Sequence, residues 1–200
     1  VDDKLWKRGY DLNKFEDIVT RNKGWVFIED LGEYKKIGKG SDGSIFQLTP
    51  EKCVKIFEKE ETFQNELFAY QAGKSSSVIP RLYEYGKNYI VMEYINGPSL
   101  RHYLKNEKQL TEPTAQKLLF MLDEFKRICF TRQDTQIRHI FVNESGELKV
   151  IDHKRAFRRK TDVPVRLLKD LSKIGYLNEF MKHVKILRPS LYKEWKGLAD

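Results

Sequence analysis

The stretch from Arg132 to Phe157, RQDTQIRHIFVNESGELKVIDHKRAF, constrains the fold of this 200-residue chain more than any other, because it sets an aspartate at each end of a hairpin. Ile140, Phe141 and Val142 form a β-prone run, Asn143 to Gly146 supply turn residues, and Leu148, Val150 and Ile151 begin a second run. A tight hairpin brings its outer ends together. Asp134 and Asp152 can therefore face one cleft, where two carboxylates could hold a metal ion and accept a proton from a nucleophile. Acidic residues flanking a hairpin are also common surface decoration, so the rest of the chain has to decide between the two readings.

Two hundred residues suit one domain, or two small lobes sharing a cleft. With 40% hydrophobic and 12% aromatic residues the chain can bury a globular core, and 33% charged residues cover its outside. No run reaches the 18 apolar residues of a membrane span, and no signal-peptide pattern marks the start. Two cysteines, Cys53 and Cys129, each lie in an apolar run and read as small core residues. Such sparse usage suits a reducing compartment, so a cytoplasmic location is expected. The net charge of +8 implies attraction to polyanions, nucleotides among them. The basic residues are spread along the chain, with local clusters at Lys7-Arg8 and Lys154 to Lys160, so dedicated nucleic-acid binding is not expected.

Taken in order, Leu12 to Thr20 has helical spacing at Phe15, Ile18 and Val19, and Trp25 to Glu29 reads as a strand. Tyr34 to Ile37 leads into Gly38-Lys39-Gly40-Ser41-Asp42-Gly43, and Ser44 to Leu48 continues as strand. Glycine-rich turns often do no more than join strands. They also let backbone N–H groups approach an anion, and strand on both sides argues for a flap over phosphates rather than a dinucleotide fingerprint, which needs a helix after the glycines. In the next strand, Cys53 to Phe57, Lys55 shares a face with Cys53, so an inward Cys53 implies an inward lysine that must have a counter-ion. Glu66, on the predicted helix Glu60 to Ala72, is the natural partner, with Glu60, Glu61 and Glu84 as competitors. Ile79 to Tyr83 and Asn88 to Glu93 add two strands before Asn96-Gly97-Pro98 breaks regular structure. Beyond it the pattern is helical: Ser99 to Lys105, then Glu112 to Phe130 with an apolar stripe from Ala115 to Cys129, and, after the hairpin, Val163 to the end.

In this order the features resemble the protein-kinase fold. Gly38, Gly40 and Gly43 match its glycine-rich loop, Cys53-Val54-Lys55 its strand lysine and Glu66 its helix glutamate. Ile90 to Gly97 looks like the last strand of the small lobe running into the hinge. Arg132-Gln133-Asp134 stands at the catalytic His-Arg-Asp, Asp152-His153-Lys154 at Asp-Phe-Gly, and Asp170 at the helix aspartate that supports the catalytic loop. The family's metal-binding Asn falls at His139, Gln133 replaces the arginine before the catalytic aspartate, and the short segment from Asp152 to Asp170 lacks an Ala-Pro-Glu motif. The abbreviated second lobe looks most like minimal kinases of the Rio, Bud32 and Kdo-kinase group.

The resemblance implies an α+β, two-lobed fold: an N-terminal extension over 1–33, a small lobe and hinge over 34–97 with five antiparallel strands and one helix, and a truncated, mainly helical lobe over 98–200. It implies ATP between the lobes, covered by Ile37, Gly38, Lys39, Gly40, Ser41, Asp42, Gly43 and Ser44. The adenine would lie between Ile45 and Cys53 on one side and Phe141 on the other, beside Met92 and hydrogen-bonded to the backbone of Glu93, Tyr94 and Ile95. Lys55, held by Glu66, would bind the α- and β-phosphates. Asp152 would hold Mg²⁺, or Mn²⁺ in its place, with His139 assisting, and Asp134 would orient the acceptor hydroxyl and take its proton. A serine or threonine acceptor on a protein is expected. A pseudokinase that binds nucleotide or a partner protein, and a small-molecule or sugar kinase, are the alternatives. The sequence names neither the acceptor nor an oligomeric state.

Overall fold

The structure, a computed structural model, describes residues 12–40, 42–158 and 160–198. It divides into two compact units, Val1–Lys74 with Pro80–Ile95, and Ser75–Ile79 with Asn96–Asp200. The architecture is α+β, as expected: a five-stranded antiparallel sheet in the first unit, and helices with a two-stranded sheet in the second.

In the first unit the strands are β1 (Lys35–Gly40), β2 (Gly43–Gln47), β3 (Lys52–Phe57), β4 (Leu82–Tyr85) and β5 (Tyr89–Glu93), ordered β1-β2-β3-β5-β4. Strand alternation sends Val54 and Ile56 to one face, where they meet Phe46, Tyr89 and Val91 together with Phe15 and Ile18 of helix α1 (Leu12–Arg21). Cys53, Lys55 and Phe57 take the opposite face, toward helix α2 (Glu60–Ala72), which buries Phe63, Glu66, Leu67 and Tyr70 at helical spacing. β3 is therefore covered on both sides, and Lys55 at its centre is buried.

The strand expected over Trp25 to Glu29 is absent. Val26 is fully buried, but its N–H and C=O are both taken by the side-chain amide of Asn88, at 3.0 and 2.8 Å, and the chain turns at once into a 3₁₀ helix over Ile28–Leu31. A side chain thus satisfies the backbone groups that a neighbouring strand would have paired.

The second unit is built on helices α3 (Leu100–Glu107), α4 (Glu112–Arg127), α5 (Val165–Lys173), α6 (Leu177–Leu187) and α7 (Pro189–Trp195), with a hairpin of β6 (Ile140–Val142) and β7 (Leu148–Val150). The Thr111 hydroxyl caps α4 by accepting from the Thr114 N–H, and the helix buries Ala115, Leu118, Leu119, Leu122 and Phe125. Cys129, expected in that buried stripe, is exposed: α4 ends at Arg127 and Cys129 turns left-handed at φ +61°, out of the helical register. Residues 75–79 join this unit because Ser76 donates to Glu124 at 2.7 Å and the Glu124 carboxylate is clamped by Arg127. The Val78 carbonyl also accepts from the Val150 N–H at 2.8 Å. Among the described residues, no helix is long and apolar enough to cross a membrane.

Candidate active site

The first unit contributes a buried ion pair. Lys55 Nζ donates to Glu66 Oε2 at 2.5 Å, with the lysine side chain 11% and the glutamate 1% exposed, and the ammonium also lies 4.8 Å from the Phe57 ring centroid. Of the acids considered for this lysine, Glu66 is the one in place. It is brought there by α2, whose inward face carries it at the spacing of Phe63 and Tyr70.

Sheet register assembles the other expected residues of this unit. Ile45 stands opposite Lys55, and Cys53 opposite Met92. Ile37, Gly38, Lys39 and Gly40 lie on β1, Asp42 in the turn, and Gly43, Ser44 and Ile45 on β2, while Ser41 lies outside the described residues. The fold itself demands glycine at Gly43, where φ is +145° and a Cβ would sit 1.8 Å from the Ile56 carbonyl oxygen. At Gly40 a Cβ would meet nothing within 4 Å. At the end of β5 the N–H of Glu93 is taken by the Arg81 carbonyl and that of Tyr94 by the Glu51 carbonyl, each at 2.8 Å. Ile95 N–H has no backbone acceptor among the described residues. Burial, with Glu93 adding to it, pushes the Cys53 thiol up to about 12, so it is an inert wall rather than a nucleophile.

The second unit holds Phe141, on β6, and a polar cavity of about 290 Å³ with Asp134 and Asp152 in its lining. Backbone hydrogen bonds build the segment that carries Asp134. Arg132 N–H donates to the Ala156 carbonyl and Gln133 N–H to that of Thr161, at 2.9 and 3.1 Å. Asp134 Oδ1 then accepts from the Arg166 N–H at 2.7 Å, at the start of α5, and Asp170 Oδ2 accepts from the Ile137 N–H at 3.2 Å. One carboxylate caps the helix and another on that helix holds the loop. Burial pushes the Asp134 carboxyl above its ordinary range, against the lowering effect of the Arg166 N–H and of the Arg132 charge.

Asp152 is aimed differently. Its backbone is left-handed at φ +65°, uncommon for a non-glycine residue. Its neighbour His153 is 5% exposed, with Nε2 2.6 Å from the Val150 carbonyl and its ring 5.4 Å from that of Phe130, so it anchors the turn that presents Asp152. This positioning role escaped the sequence reading, although a signal existed, since His153 stands where the family carries an aromatic residue. Asp152 Oδ1 is buried with no hydrogen-bond partner, its nearest cation being Lys154 Nζ at 3.7 Å. His139 Nε2 is 3.6 Å from Asp152 Oδ2 and 3.2 Å from Arg138 Nε, which donates to it. Among the described residues, no group of three or more His, Cys, Asp or Glu side chains forms a ready-made metal site.

No protein-family model matches the chain. It is 29% identical over 150 residues to YrzF of Bacillus subtilis (strain 168), provisionally named a serine/threonine-protein kinase, covering 72% of this chain and 70% of that one. It is 26% identical over 164 residues to the Aurora/IPL1-related protein kinase 2 of Caenorhabditis elegans, covering 71% and 53%, and 24% identical over 157 residues to protein kinase 2 of Dictyostelium discoideum, covering 68% and 33%. The matched region thus spans about half of the second relative and a third of the third.

Proposed function

We propose that this chain, which belongs to the protein-kinase-like superfamily, is an ATP-dependent phosphotransferase that moves the γ-phosphate to a hydroxyl. The names of its relatives favour a protein as acceptor, and that of YrzF a serine or threonine on it. The observation that carries the reading is the cavity lined by Asp134 and Asp152, one carboxylate with a raised proton affinity and the other with a buried, unpartnered oxygen.

Each residue has a separable role. Lys55, held by Glu66, binds the α- and β-phosphates, and the β1–β2 turn gives its backbone N–H groups to them. The adenine uses the Ile95 N–H, which no backbone carbonyl among the described residues takes, and the Glu93 carbonyl, which the Cys53 thiol also faces at 3.7 Å, against Ile45 and Cys53. The hard, unpartnered Asp152 Oδ1 fits a divalent cation such as Mg²⁺, with Mn²⁺ able to substitute. His139 fits poorly as a direct ligand, because a nitrogen donor suits Mg²⁺ badly and its Nε2 already accepts from Arg138, so it acts through water. When bound, the cation neutralises phosphate charge as the transfer proceeds. The acceptor oxygen bonds to the γ-phosphorus as the bond from that phosphorus to the ADP oxygen breaks. ADP leaves with that electron pair, and the hydroxyl proton passes to the Asp134 carboxylate.

The test is transfer of label from γ-labelled ATP to hydroxyl acceptors, with Mg²⁺ or Mn²⁺. Transfer by the wild-type chain and none by Asp152→Asn is the expected result. Near-wild-type turnover by Asp152→Asn contradicts the assignment, and nucleotide binding without transfer to any acceptor reassigns the chain as a nucleotide-binding module of this fold.

A further inference from the structure

The cavity around Asp134 and Asp152 carries more positive charge than its two carboxylates can answer. Its lining includes Arg132, Arg138, Lys154, Arg155 and Arg166, five cations against two acids. Two of the five are engaged, Lys154 beside Asp152 and Arg138 on His139. Among the described residues, no carboxylate closes an ion pair with Arg132, Arg155 or Arg166.

A solvated arginine needs no explanation, and Arg155 and Arg166 have exposed side chains. Arg132 is the exception. It is half-buried, burial lowers its proton affinity, and Arg166 and Arg155 add to that lowering against the opposing charges of Asp134 and Asp152, so three arginines converge on a cavity where cations outnumber acids. Convergence of that kind opposes itself until an anion enters, and the planar, multi-donor guanidinium is the group best suited to phosphate or carboxylate.

Resting on the phosphotransferase reading, we propose that the acceptor carries, near the hydroxyl that receives the phosphate, a second and anionic group, a phosphate or carboxylate held by Arg132, Arg155 and Arg166. Asp134 stands in the same cavity to take the hydroxyl proton, so the anion fixes which hydroxyl is presented to it. Guanidinium groups beside the two carboxylates also keep a negatively charged acceptor from being repelled by them.

Two matched pairs of probes test this on the full chain. Glycerol against glycerol 3-phosphate supplies the anion on a small molecule, and a neutral serine peptide against the same peptide with a neighbouring phosphoserine supplies it on a polypeptide. Binding is read by calorimetry without ATP, and transfer with labelled ATP. The expected result is binding of the anionic member of at least one pair, at least tenfold tighter than its neutral mate and weakening as salt rises. That preference should be lost in the Arg155→Gln/Arg166→Gln double variant, while ATP affinity stays within about twofold of wild type; which pair responds identifies the source of the anion. Equal binding within both pairs overturns the proposal whether or not transfer occurs. So does a parallel loss of ATP affinity in the double variant, which would make the arginines part of the nucleotide site. Failure of the phosphotransferase reading shows separately, as anion binding without transfer.

Discussion

The two units handle buried charge in opposite ways. In the first, Lys55 and Glu66 close on each other at 2.5 Å, almost out of water, and neither charge is left over. In the second, Asp134, Asp152 and a ring of cations line an open cavity where, among the described residues, one carboxylate oxygen has no hydrogen-bond partner and three arginines close no ion pair with an acid. A closed pair is a stable positioning device. An open set of charges has interactions still to make, and under the phosphotransferase reading these are the interactions that substrates would complete.

The largest effect expected from breaking this contrast is on transfer. Asp134→Asn keeps a side-chain oxygen for the Arg166 N–H but cannot take a proton, so kcat/KM should fall by about a thousandfold. The acid limb of the wild-type profile should also lie above the ordinary carboxylate value, because the burial-raised Asp134 must be ionised to act and activity falls as pH drops through its raised pKa. Folding should show the opposite slope. Over the interval between 3.8 and the raised value the native state holds the proton more tightly than the unfolded chain, so this group's contribution to stability declines as pH rises. Unchanged turnover in Asp134→Asn would leave the aspartate as a helix cap and nothing more.

Next comes stability at the closed pair. Glu66→Ala strands a buried ammonium and should cost about 3 kcal/mol in denaturant unfolding, whereas Lys55→Met/Glu66→Leu should recover most of it while failing to bind ATP. Asp152→Asn at the open site should shift the midpoint far less than Glu66→Ala does. Equal losses at the two sites would erase the distinction between a closed and an open arrangement. The smallest expected effect is local: Asp134→Ala should be less stable than Asp134→Asn by about 1 kcal/mol, the worth of a helix cap.

Strand alternation and helical spacing made much of this legible. The helix over Glu60–Ala72 has the bounds its apolar spacing predicts, and the inward lysine of β3 finds the glutamate its burial requires. The misreadings share a cause. Trp25 to Glu29 has strand composition but receives its hydrogen bonds from the Asn88 side chain, 62 residues away in sequence, and Cys129 is apolar but lies past the helix end in a left-handed turn. Neither a distant side-chain partner nor a sign change in φ leaves a periodic trace. The same holds at the candidate site. Its residue types were readable, but the His153 anchor, the capping of α5 by Asp134 and the convergence of arginines from 132, 155 and 166 depend on loop closure that hydrophobic patterning does not encode.

The most direct test is calorimetric titration with ATP of the wild-type chain and of Asp152→Asn, each with Mg²⁺, with Mn²⁺ and without metal. The account predicts ATP binding that the cation strengthens in the wild-type chain and no longer strengthens in Asp152→Asn, with the variant folded. Metal-dependent binding of equal strength in both proteins, or no ATP binding by the wild-type chain under any of the three conditions, would contradict it.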